Sequence, residues 1–588
     1  MHLKTHRVKR HGKEHVYYSL CESVRVSRRR VVQRQVLHLG ELQGSQVEQW
    51  ERTIAVLTES GEERQMQLWA GRPAPAQADC VEVVLSSLSV RRPRRFGDCW
   101  AATKLWGQLD LDGFFAARLE DEPGMVPWAK VIELLVVSRL CSPGSELSVH
   151  KQFYPQSAIG WLLDTDAAVA EKDRLYRALD RLLPHKADLE QHLARRWKDL
   201  FGVTCDLLLY DLTSSYFEGE AAEVEQAARG YSRDHRPDCE QVVLALIVTP
   251  EGLPVAYELF DGNRVDVTTL LPMIDHVEAR HGKMGRVWVF DRGIVSEDNL
   301  DELRARGGHY LVGAPRSALG PREAHLLTQD WQAISPEVEV KLLPEDAETY
   351  VLARSRPRAA KEQAMRTRIV RGLMRDLIRL RRSWWRGRVR PDRVWRRLGR
   401  LEERHGRAWH YVHVEFDGKK LSWRWDRERL RKAAWRDGAY LLRTNLTSTD
   451  PTDLWRRYVQ LSEVEAAFRV FKSELGVRPI WHYTQPRVEA HVLVAFLGYA
   501  LWACLRNQLR PAAPGLMPAA VFDQLGRMQL VEVWFNLRDG RQLCLERITQ
   551  PEPPQQAIID ALGWQLPEQP PPKIYPKDLG VCGQQPGG

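Results

Sequence analysis

Two short apolar runs near the middle of the chain each end in an aspartate. Leu207–Tyr210 is followed by Asp211, and Val287–Phe290 is followed by Asp291. Uninterrupted apolar runs of this length are typical of strands buried on both faces of a sheet. A carboxylate directly after such a strand is costly to leave ionised unless a cation meets it. Two of them on neighbouring strands can share divalent metal ions, so both aspartates are candidate metal ligands.

The pattern around these runs predicts a mixed sheet covered by helices. Two strands joined by a turn at Glu251-Gly252 follow the first run, and alternating helix and strand surround the second. This order predicts an α/β fold. The further segments are strands at Gln241–Thr249, Leu253–Phe260 and His309–Gly313, and helices at Thr268–Arg280 and Asp298–Arg306.

A third candidate carboxylate lies on a predicted amphipathic helix over residues 458–475. Tyr458, Glu465 and Lys472 recur every seven residues, and Arg469 follows Glu465 by one turn. Because they lie beside the apolar stripe, we expect Glu465 to face the sheet. The stripe consists of Leu461, Val464, Phe468, Phe471 and Leu475.

Glu465 follows Asp291 by 174 residues, which is too many for a connection inside a compact core. We therefore predict an insertion from about Ala314 to Arg443, with strands at both ends. Residues 354–407 hold 20 Lys and Arg against 5 Asp and Glu, a net charge of +15, interleaved with tryptophans. Arginine with tryptophan suits phosphate contact and base stacking. The alternative is a solvated helical pair whose tryptophans pack inward.

The two ends of the chain have weaker patterns. Alternating apolar residues before residue 40 predict strands, which form either a solvated β-domain or a module that grips DNA phosphates. A Pro- and Ala-rich stretch at 70–78 indicates a linker, and residues 98–200 have helical spacing. The Pro-rich end at 567–588 is predicted to be disordered.

The composition of the chain indicates its class of partner and its cellular compartment. A net charge of +9 over 588 residues favours an acidic polymer as partner. Nine cysteines without a Cys-x2-Cys pair argue for a reducing compartment and against a zinc ribbon. The longest apolar run, Val492–Leu505, is too short to span a bilayer and no signal-peptide core is visible. We expect a cytoplasmic protein with no membrane partner.

The three acidic residues, in this order on strand, strand and helix, resemble the triad of insertion-sequence transposases with a ribonuclease-H-like core. The helix is similar to the Tyr-x2-Arg-x3-Glu-x6-Lys signature of the IS4 group. Leu461 stands where the arginine is expected, and Arg469 is the candidate substitute. The likeness runs from about Arg95 to Arg510. Three segments narrow it to the IS1634-like subgroup: Gly230–Asp238, Phe260–Asn263 and Val464–Arg469.

The resemblance implies a ribonuclease-H-like sheet whose first and fourth strands are neighbours, which brings Asp211 and Asp291 together. It implies two Mg²⁺ ions, replaceable by Mn²⁺, held by these aspartates and Glu465. The activity would be DNA cleavage and strand transfer, acting on inverted-repeat ends and target DNA as a homodimer. Phosphates would be contacted by Tyr458, Arg469, Lys472 and Arg478, and a flipped base by Trp384 or Trp385.

Two alternatives stay open at this stage. One is a catalytically inactive DNA-binding protein derived from a transposase, and the other is a ribonuclease-H-like nuclease that does not join strands. The domains expected are a basic β-rich module at 1–78, a helical DNA-binding region at 79–200, the catalytic core at 201–316 and 451–510, the insertion at 317–450, and a C-terminal region at 511–588.

Overall fold

The computed structural model describes residues 2–10, 13–27, 30–41, 81, 83–283, 285–345, 348–447 and 450–576. The predicted linker at 70–78 and the tail from residue 577 lie outside the described residues. The prediction of disorder from residue 567 is wrong as far as residue 576, because Lys573–Tyr575 forms a strand that pairs with residues 542–544. Two compact units make up the chain. The first comprises residues 1–204, 212–264 and 465–588, and the second comprises 205–211 and 265–464.

The strands are β1 (His2–Arg10), β2 (Lys13–Ser27), β3 (Arg30–Glu41), β4 (Val83–Arg95), β5 (Leu207–Tyr216), β6 (Gln241–Val248), β7 (Pro254–Asp261), β8 (Val287–Phe290), β9 (His309–Gly313), β10 (Gln332–Ser335), β11 (Val338–Glu345), β12 (Glu348–Ser355), β13 (Val412–Phe416), β14 (Leu421–Trp425), β15 (Ala439–Thr444), β16 (Gln529–Leu537), β17 (Gln542–Ile548) and β18 (Lys573–Tyr575).

The longer helices are α1 (Gly97–Gln108), α2 (Leu111–Ala116), α3 (Trp128–Cys141), α4 (Lys172–Leu182), α5 (Lys186–Phe201), α6 (Leu270–His281), α7 (Glu297–Ala305), α8 (Arg356–Trp385), α9 (Pro391–Arg404), α10 (Arg427–Trp435), α11 (Pro451–Val459), α12 (Ser462–Ser473), α13 (Gln485–Ala512), α14 (Pro518–Leu525) and α15 (Pro553–Ala561).

The first unit contains two small antiparallel sheets and a bundle of helices. One sheet has the order β1-β2-β3 and the other β18-β17-β16-β4. Helix α13 packs against α1, α3 and α4. Among the described helices it alone is long and apolar enough to cross a membrane, but 94% of its most apolar window is buried in the protein. The apolar run Val492–Leu505 is therefore part of a core helix, as its length predicted.

Strand β5 belongs to both units, because residues 207–211 lie in the second unit and the rest lies in the first. In the second unit β5 pairs in parallel with β8, and β8 pairs in parallel with β9. Strand β6 lies between β5 and β7 and is antiparallel to β7. The predicted mixed sheet is confirmed, and so is the adjacency of its first and fourth strands that the family resemblance implies.

The sheet of the second unit continues beyond β9 into the predicted insertion. Strands β15, β12, β11 and β10 follow in that order, each antiparallel to its neighbour. These four strands fall within the range 317–450 that the sequence assigned to the insertion. The helices α8 to α10 and the hairpin β13–β14 also lie in that range and are not part of this sheet.

Helices α8 and α9 and the β13–β14 hairpin enclose a hydrophobic core of their own. Its larger buried members are Leu373, Leu377, Leu380, Val394, Leu398 and Phe416. On α8 a second set of residues three or four apart falls on the opposite face, and every member is exposed. We call this set the arginine stripe: Arg371, Arg375, Arg379 and Arg382.

The single helix predicted over 458–475 is wrong, because the chain forms two helices there. Helix α11 ends at Val459 and α12 begins at Ser462. Between them the Leu461 amide donates to the Tyr458 carbonyl at 3.0 Å, and the Ser462 hydroxyl donates to the Val459 carbonyl at 2.8 Å. Bonds to the third residue back wind the chain more tightly than an α-helix. The seven-residue spacing from Tyr458 therefore does not define one helical face.

Candidate active site and DNA-contact residues

Asp211 and Asp291 occupy equivalent positions on adjacent parallel strands. The pairing of β5 with β8 runs in register from Leu207 opposite Val287 to Tyr210 opposite Phe290. The next residue on each strand is an aspartate. Asp211 is half-buried and Asp291 is exposed. The structure therefore places two carboxylates side by side at one edge of the second unit's sheet.

A cavity of about 210 Å³ opens beside Asp291 within the second unit. A β-carbon built on Gly313 would lie 2.8 Å from the Tyr458 hydroxyl oxygen and 3.6 Å from Asp291 Oδ1. The tyrosine and the aspartate thus approach the same glycine, which has no room for a side chain. Three cationic residues also line this cavity: Arg292, Arg316 and Arg358.

Glu465 and Arg469 lie one turn apart on α12, and both side chains are exposed. Glu465 is the first residue of the last segment of the first unit, so α12 crosses from one unit to the other. The helix continues to Lys472 in its last turn. A meeting of Glu465 with the two aspartates stays a prediction.

Lys472 and Arg478 share one buried carboxylate in the first unit. Lys472 Nζ donates to Asp234 Oδ1 at 2.7 Å, and the Arg478 guanidinium contacts the same oxygen. The Asp234 side chain is 3% exposed. Burial lowers the pKa of the Lys472 ammonium, and the Asp234 carboxylate opposes that shift. The two predicted phosphate-contacting cations are therefore held together.

Buried polar side chains form hydrogen bonds to the backbone of the turn between Lys472 and Arg478. The Val477 carbonyl accepts from the Ser215 hydroxyl at 3.3 Å, and His491 Nε2 lies 3.1 Å from the same oxygen. His491 Nδ1 lies 3.3 Å from Arg139. Burial lowers the pKa of His491 well below its usual value. This histidine has the environment of a hydrogen-bonded core residue rather than of a metal ligand.

His482 lies beside His491, with ring centroids 5.2 Å apart. Its Nε2 atom is 3.6 Å from Glu146. Burial opposes ionisation of that carboxyl, but the hydrogen bond and charge of His482 bring the pKa of Glu146 down to about 2. His482 is therefore engaged with a buried carboxylate in the first unit, which again favours a structural role.

The adjacent tryptophans at the end of α8 have different environments. Trp384 packs edge-on against Phe416 at 5.2 Å, and its indole nitrogen donates to the Lys419 carbonyl at 3.0 Å. Trp385 is 66% exposed, and the Arg381 guanidinium lies 5.0 Å from its ring centre. Inward packing therefore describes Trp384, whereas Trp385 presents an open aromatic face.

Among the residues that the structure describes, one group of three possible metal ligands lies in the first unit. It consists of Asp98, Cys99 and Cys141. Asp98 is already paired with Arg95, and a hydrogen bond to Cys141 together with burial raises the pKa of Cys99 well above its usual value. Because metal binding needs thiolates, this group does not fit a metal.

Two residues of these sites were missed by the sequence reasoning. Gly313 ends a predicted strand. A glycine directly after an apolar run was the sequence feature that could have indicated a close approach of other groups there. Asp234 lies inside the segment Gly230–Asp238 that carried the subgroup resemblance, but its partners are far away along the chain.

The comparisons with known proteins agree with this arrangement. The transposase DDE domain family matches residues 206–501, just over half of the 588 residues. The chain belongs to the transposases with a DDE catalytic domain. Residues 3–68 match the N-terminal domain of IS1634 family transposases. Within that class it is an IS1634-like transposase.

Two solved structures resemble the chain at low identity. The piggyBac transposase synaptic complex with hairpin DNA is 10% identical, with 74% of this chain and 82% of that chain covered at a TM-score of 0.33. The Mos1 transposase paired-end complex with left transposon end is 11% identical, with 48% and 81% covered at a TM-score of 0.14. No curated protein matches the sequence.

Membership of this family defines the activity in general terms. The protein is a DNA transposase, an enzyme that binds DNA and cleaves it with the help of divalent metal. The predicted enzyme class is confirmed. A non-catalytic class was the first alternative, and an intact pair of aspartates in register argues against it.

Proposed function

We propose that this transposase moves its element by cut-and-paste transposition, with Asp211, Asp291 and Glu465 as the catalytic carboxylates. The observation that carries the proposal is the register of β5 with β8, which puts Asp211 and Asp291 next to each other at the sheet edge. Glu465 joins them as the one acidic residue of α12 that lies in the matching position of the family signature. Water is the first nucleophile, and the freed 3′-hydroxyl attacks the target strand.

The donor set fits two Mg²⁺ ions, with Mn²⁺ as a substitute. Three carboxylates supply hard oxygen ligands, which Mg²⁺ prefers. Asp291 and Glu465 are exposed and Asp211 is half-buried, so none of the three carboxylates is closed off from water. Asp211, Asp291 and Glu465 would be the side chains that hold the ions. Bound ions supply stabilisation of the charge on the attacking and leaving oxygens.

The predicted phosphate-contacting residues hold the DNA strand. Lys472 and Arg478 are close together because both contact Asp234 Oδ1, and two such cations can bind one phosphate. Exposed Arg469 takes the position of the missing signature arginine. Tyr458, whose hydroxyl approaches Gly313 as Asp291 does, is the further phosphate-contacting residue of this proposal.

The exposed face of α8 binds the flank of the DNA. The arginine stripe presents a row of exposed cations, which suits sequence-independent contact with phosphates. Trp385 at the end of that helix offers an open ring for an unstacked base. Trp384 instead packs against the hydrophobic core of the insertion.

The proposed reaction also determines the DNA partners, the oligomeric state and the compartment. Joining two ends to a target requires both inverted repeats in one complex, and a homodimer supplies one active site for each end. The reaction takes place in the bacterial cytoplasm on nucleoid DNA. Seven cysteines in the described part of the chain are free thiols, which suits that reducing compartment.

The test substitutes each carboxylate without changing its size. Asp211→Asn, Asp291→Asn and Glu465→Gln should each lower cleavage of a duplex carrying the terminal repeat by about 10³-fold or more. Binding measured by mobility shift should be retained, because the substitutions remove negative charge from a DNA-binding surface. Glu474→Gln, which lies just beyond the same helix, is the matched control and should cleave normally.

Three outcomes distinguish the rival functions. Binding by the wild-type protein without nicking in Mg²⁺ or Mn²⁺ would support an inactive DNA-binding descendant. Nicking without strand joining would support a nuclease. Residual cleavage in all three variants would show that these residues are not the catalytic set.

A further inference from the structure

Asp234 is the meeting point of an unusual charge cluster in the first unit. Its Oδ1 atom accepts from both Lys472 and Arg478, and its Oδ2 atom is buried with no hydrogen-bond partner among the described residues. Arg233 is close enough to act on Lys472 electrostatically. Two cations therefore contact one buried carboxylate with a third cation nearby, and the cluster keeps a net positive charge that suits an anion.

The loop that carries Asp234 is held on both sides of that residue. The Arg233 amide donates to the Ser214 hydroxyl at 3.1 Å, and the Arg236 amide donates to the Ser232 hydroxyl at 3.0 Å. Ser214 lies on β5, three residues after Asp211. The position of the carboxylate is thus set by the strand that carries a candidate catalytic residue.

The start of the same loop is fixed by close backbone packing. A β-carbon on Gly230 would lie 2.1 Å from the Gly262 carbonyl oxygen, and one on Gly262 would lie 2.0 Å from the Gln241 carbonyl oxygen. Both glycines belong to the segments that carry the subgroup resemblance. These segments therefore build the support on which Asp234 is presented.

We propose that Asp234 is a positioning residue that holds Lys472 and Arg478 in the geometry for one phosphate of the DNA strand being cut. The inference rests on the proposed function of those two cations. A single oxygen that contacts both terminal groups keeps them close in spite of their mutual repulsion. Without this anion the long side chains would separate, and burial of Lys472 next to two arginines would be unfavourable.

The test is a double-mutant cycle between Asp234→Asn and Lys472→Met in the full-length protein. Cleavage of a duplex carrying the terminal repeat is measured at saturating and at limiting DNA. Asp234→Asn alone should lower kcat about tenfold, while KM for DNA stays unchanged or falls because the surface loses a negative charge. Asp238→Asn is the matched control, since Asp238 lies in the same loop, is exposed and pairs with Arg236. It should change neither constant.

The cycle separates positioning from general support of the fold. In the Lys472→Met background, adding Asp234→Asn should lower kcat by less than about twofold, because the group it positions is gone. Thermal melting of the same four proteins gives a second cycle, and Asp234→Asn should destabilise the Lys472→Met protein less than the wild type.

Specific results would overturn the inference. These are a wild-type kcat in Asp234→Asn, a further tenfold loss when it is added to Lys472→Met, or failure to fold in both backgrounds. If the wild-type protein itself does not cleave, the proposed function fails, and the melting cycle still reports whether Asp234 and Lys472 are coupled.

Discussion

The molecule holds positive charge in two opposite ways. In the first unit Lys472 and Arg478 share a carboxylate that is 3% exposed. In the second unit the arginine stripe of α8 is exposed along its length, and Asp376 on the same helix pairs with Arg379 of the stripe. In the first unit a lysine and an arginine thus form a fixed cluster around one carboxylate. In the second unit four arginines form an open row.

The two arrangements suit different tasks: a fixed cluster can position one phosphate, and an open row can raise the overall affinity for DNA. A buried, hydrogen-bonded pair costs desolvation but determines where each charge lies, whereas exposed cations act through counterion release and tolerate movement. In the proposed function, the net charge of +15 over residues 354–407 attracts DNA. It does not indicate where a phosphate is aligned for reaction. We propose Lys472 and Arg478 for that task, and a count of local charge does not single them out.

The largest effect is expected at the fixed cluster. Lys472→Met should lower kcat for cleavage by about 10²–10³-fold, because a positioned donor to the reacting phosphate is removed. The Kd for DNA should change by less than about threefold, since the many other phosphate-binding cations remain. Rapid-quench cleavage at saturating DNA and a mobility-shift titration measure the two quantities.

Lys361→Met provides the matched control for that substitution. Lys361 is an exposed lysine of α8, so its removal should leave kcat unchanged. A Lys472→Met protein with normal kcat and strongly raised Kd would mean that the fixed cluster acts like the open row, and the contrast between the two regions would disappear.

A smaller effect is expected for the two tryptophans of the open region. Trp384→Ala should lower the free energy of unfolding by about 2–3 kcal/mol, because it removes packing against Phe416 and the hydrogen bond to Lys419. Trp385→Ala should change it by less than about 0.5 kcal/mol, as the ring is mostly exposed. Differential scanning calorimetry of the full-length proteins tests the difference.

For DNA binding, the substitution at Trp385 should have the larger effect and the substitution at Trp384 the smaller one. Trp385→Ala should weaken binding to a duplex with an unpaired terminal base, since stacking contributes about 1–3 kcal/mol per base. Trp384→Phe, which keeps much of the packing, should bind this DNA normally. Equal decreases of stability in both alanine variants would contradict the assignment of one inward and one outward ring.

The parts of this fold that local patterns predict are the strands next to the aspartates. A four-residue apolar run followed by Asp211 or Asp291 is a strong signal, because burial on both faces excludes polar residues from the run. That β5 lies beside β8 came from the family resemblance, and the register confirms it. The sheet's extension through β15 was not predicted, because the intervening charged helices interrupt any local pattern.

The pairing of Lys472 with Arg478 and the break after Val459 could not be predicted from local sequence patterns. Asp234 and Lys472 are separated by 238 residues, so no local pattern links them. The break between α11 and α12 depends on a serine hydroxyl bonding to the preceding turn, which helical periodicity does not record. Trp384 and Trp385 differ only because neighbouring helical residues point about 100° apart, and the hairpin covers one of them.

The smallest effect concerns the arginine stripe itself. Replacing Arg371, Arg375, Arg379 and Arg382 with glutamine should leave kcat at saturating DNA within about twofold of the wild type. The slope of log Kd against log salt should fall by roughly one for each phosphate that the variant no longer neutralises. Binding titrations between low and moderate salt measure this slope.

Replacing the same four arginines with lysine keeps the charge and gives the decisive control. The open row needs charge rather than shape, so the lysine protein should retain the wild-type salt slope and affinity. If lysine failed to restore either, the stripe would be making bidentate, oriented contacts like those of the fixed cluster. The glutamine protein would then also show a reduced kcat, and both regions would have to be assigned to alignment of the DNA.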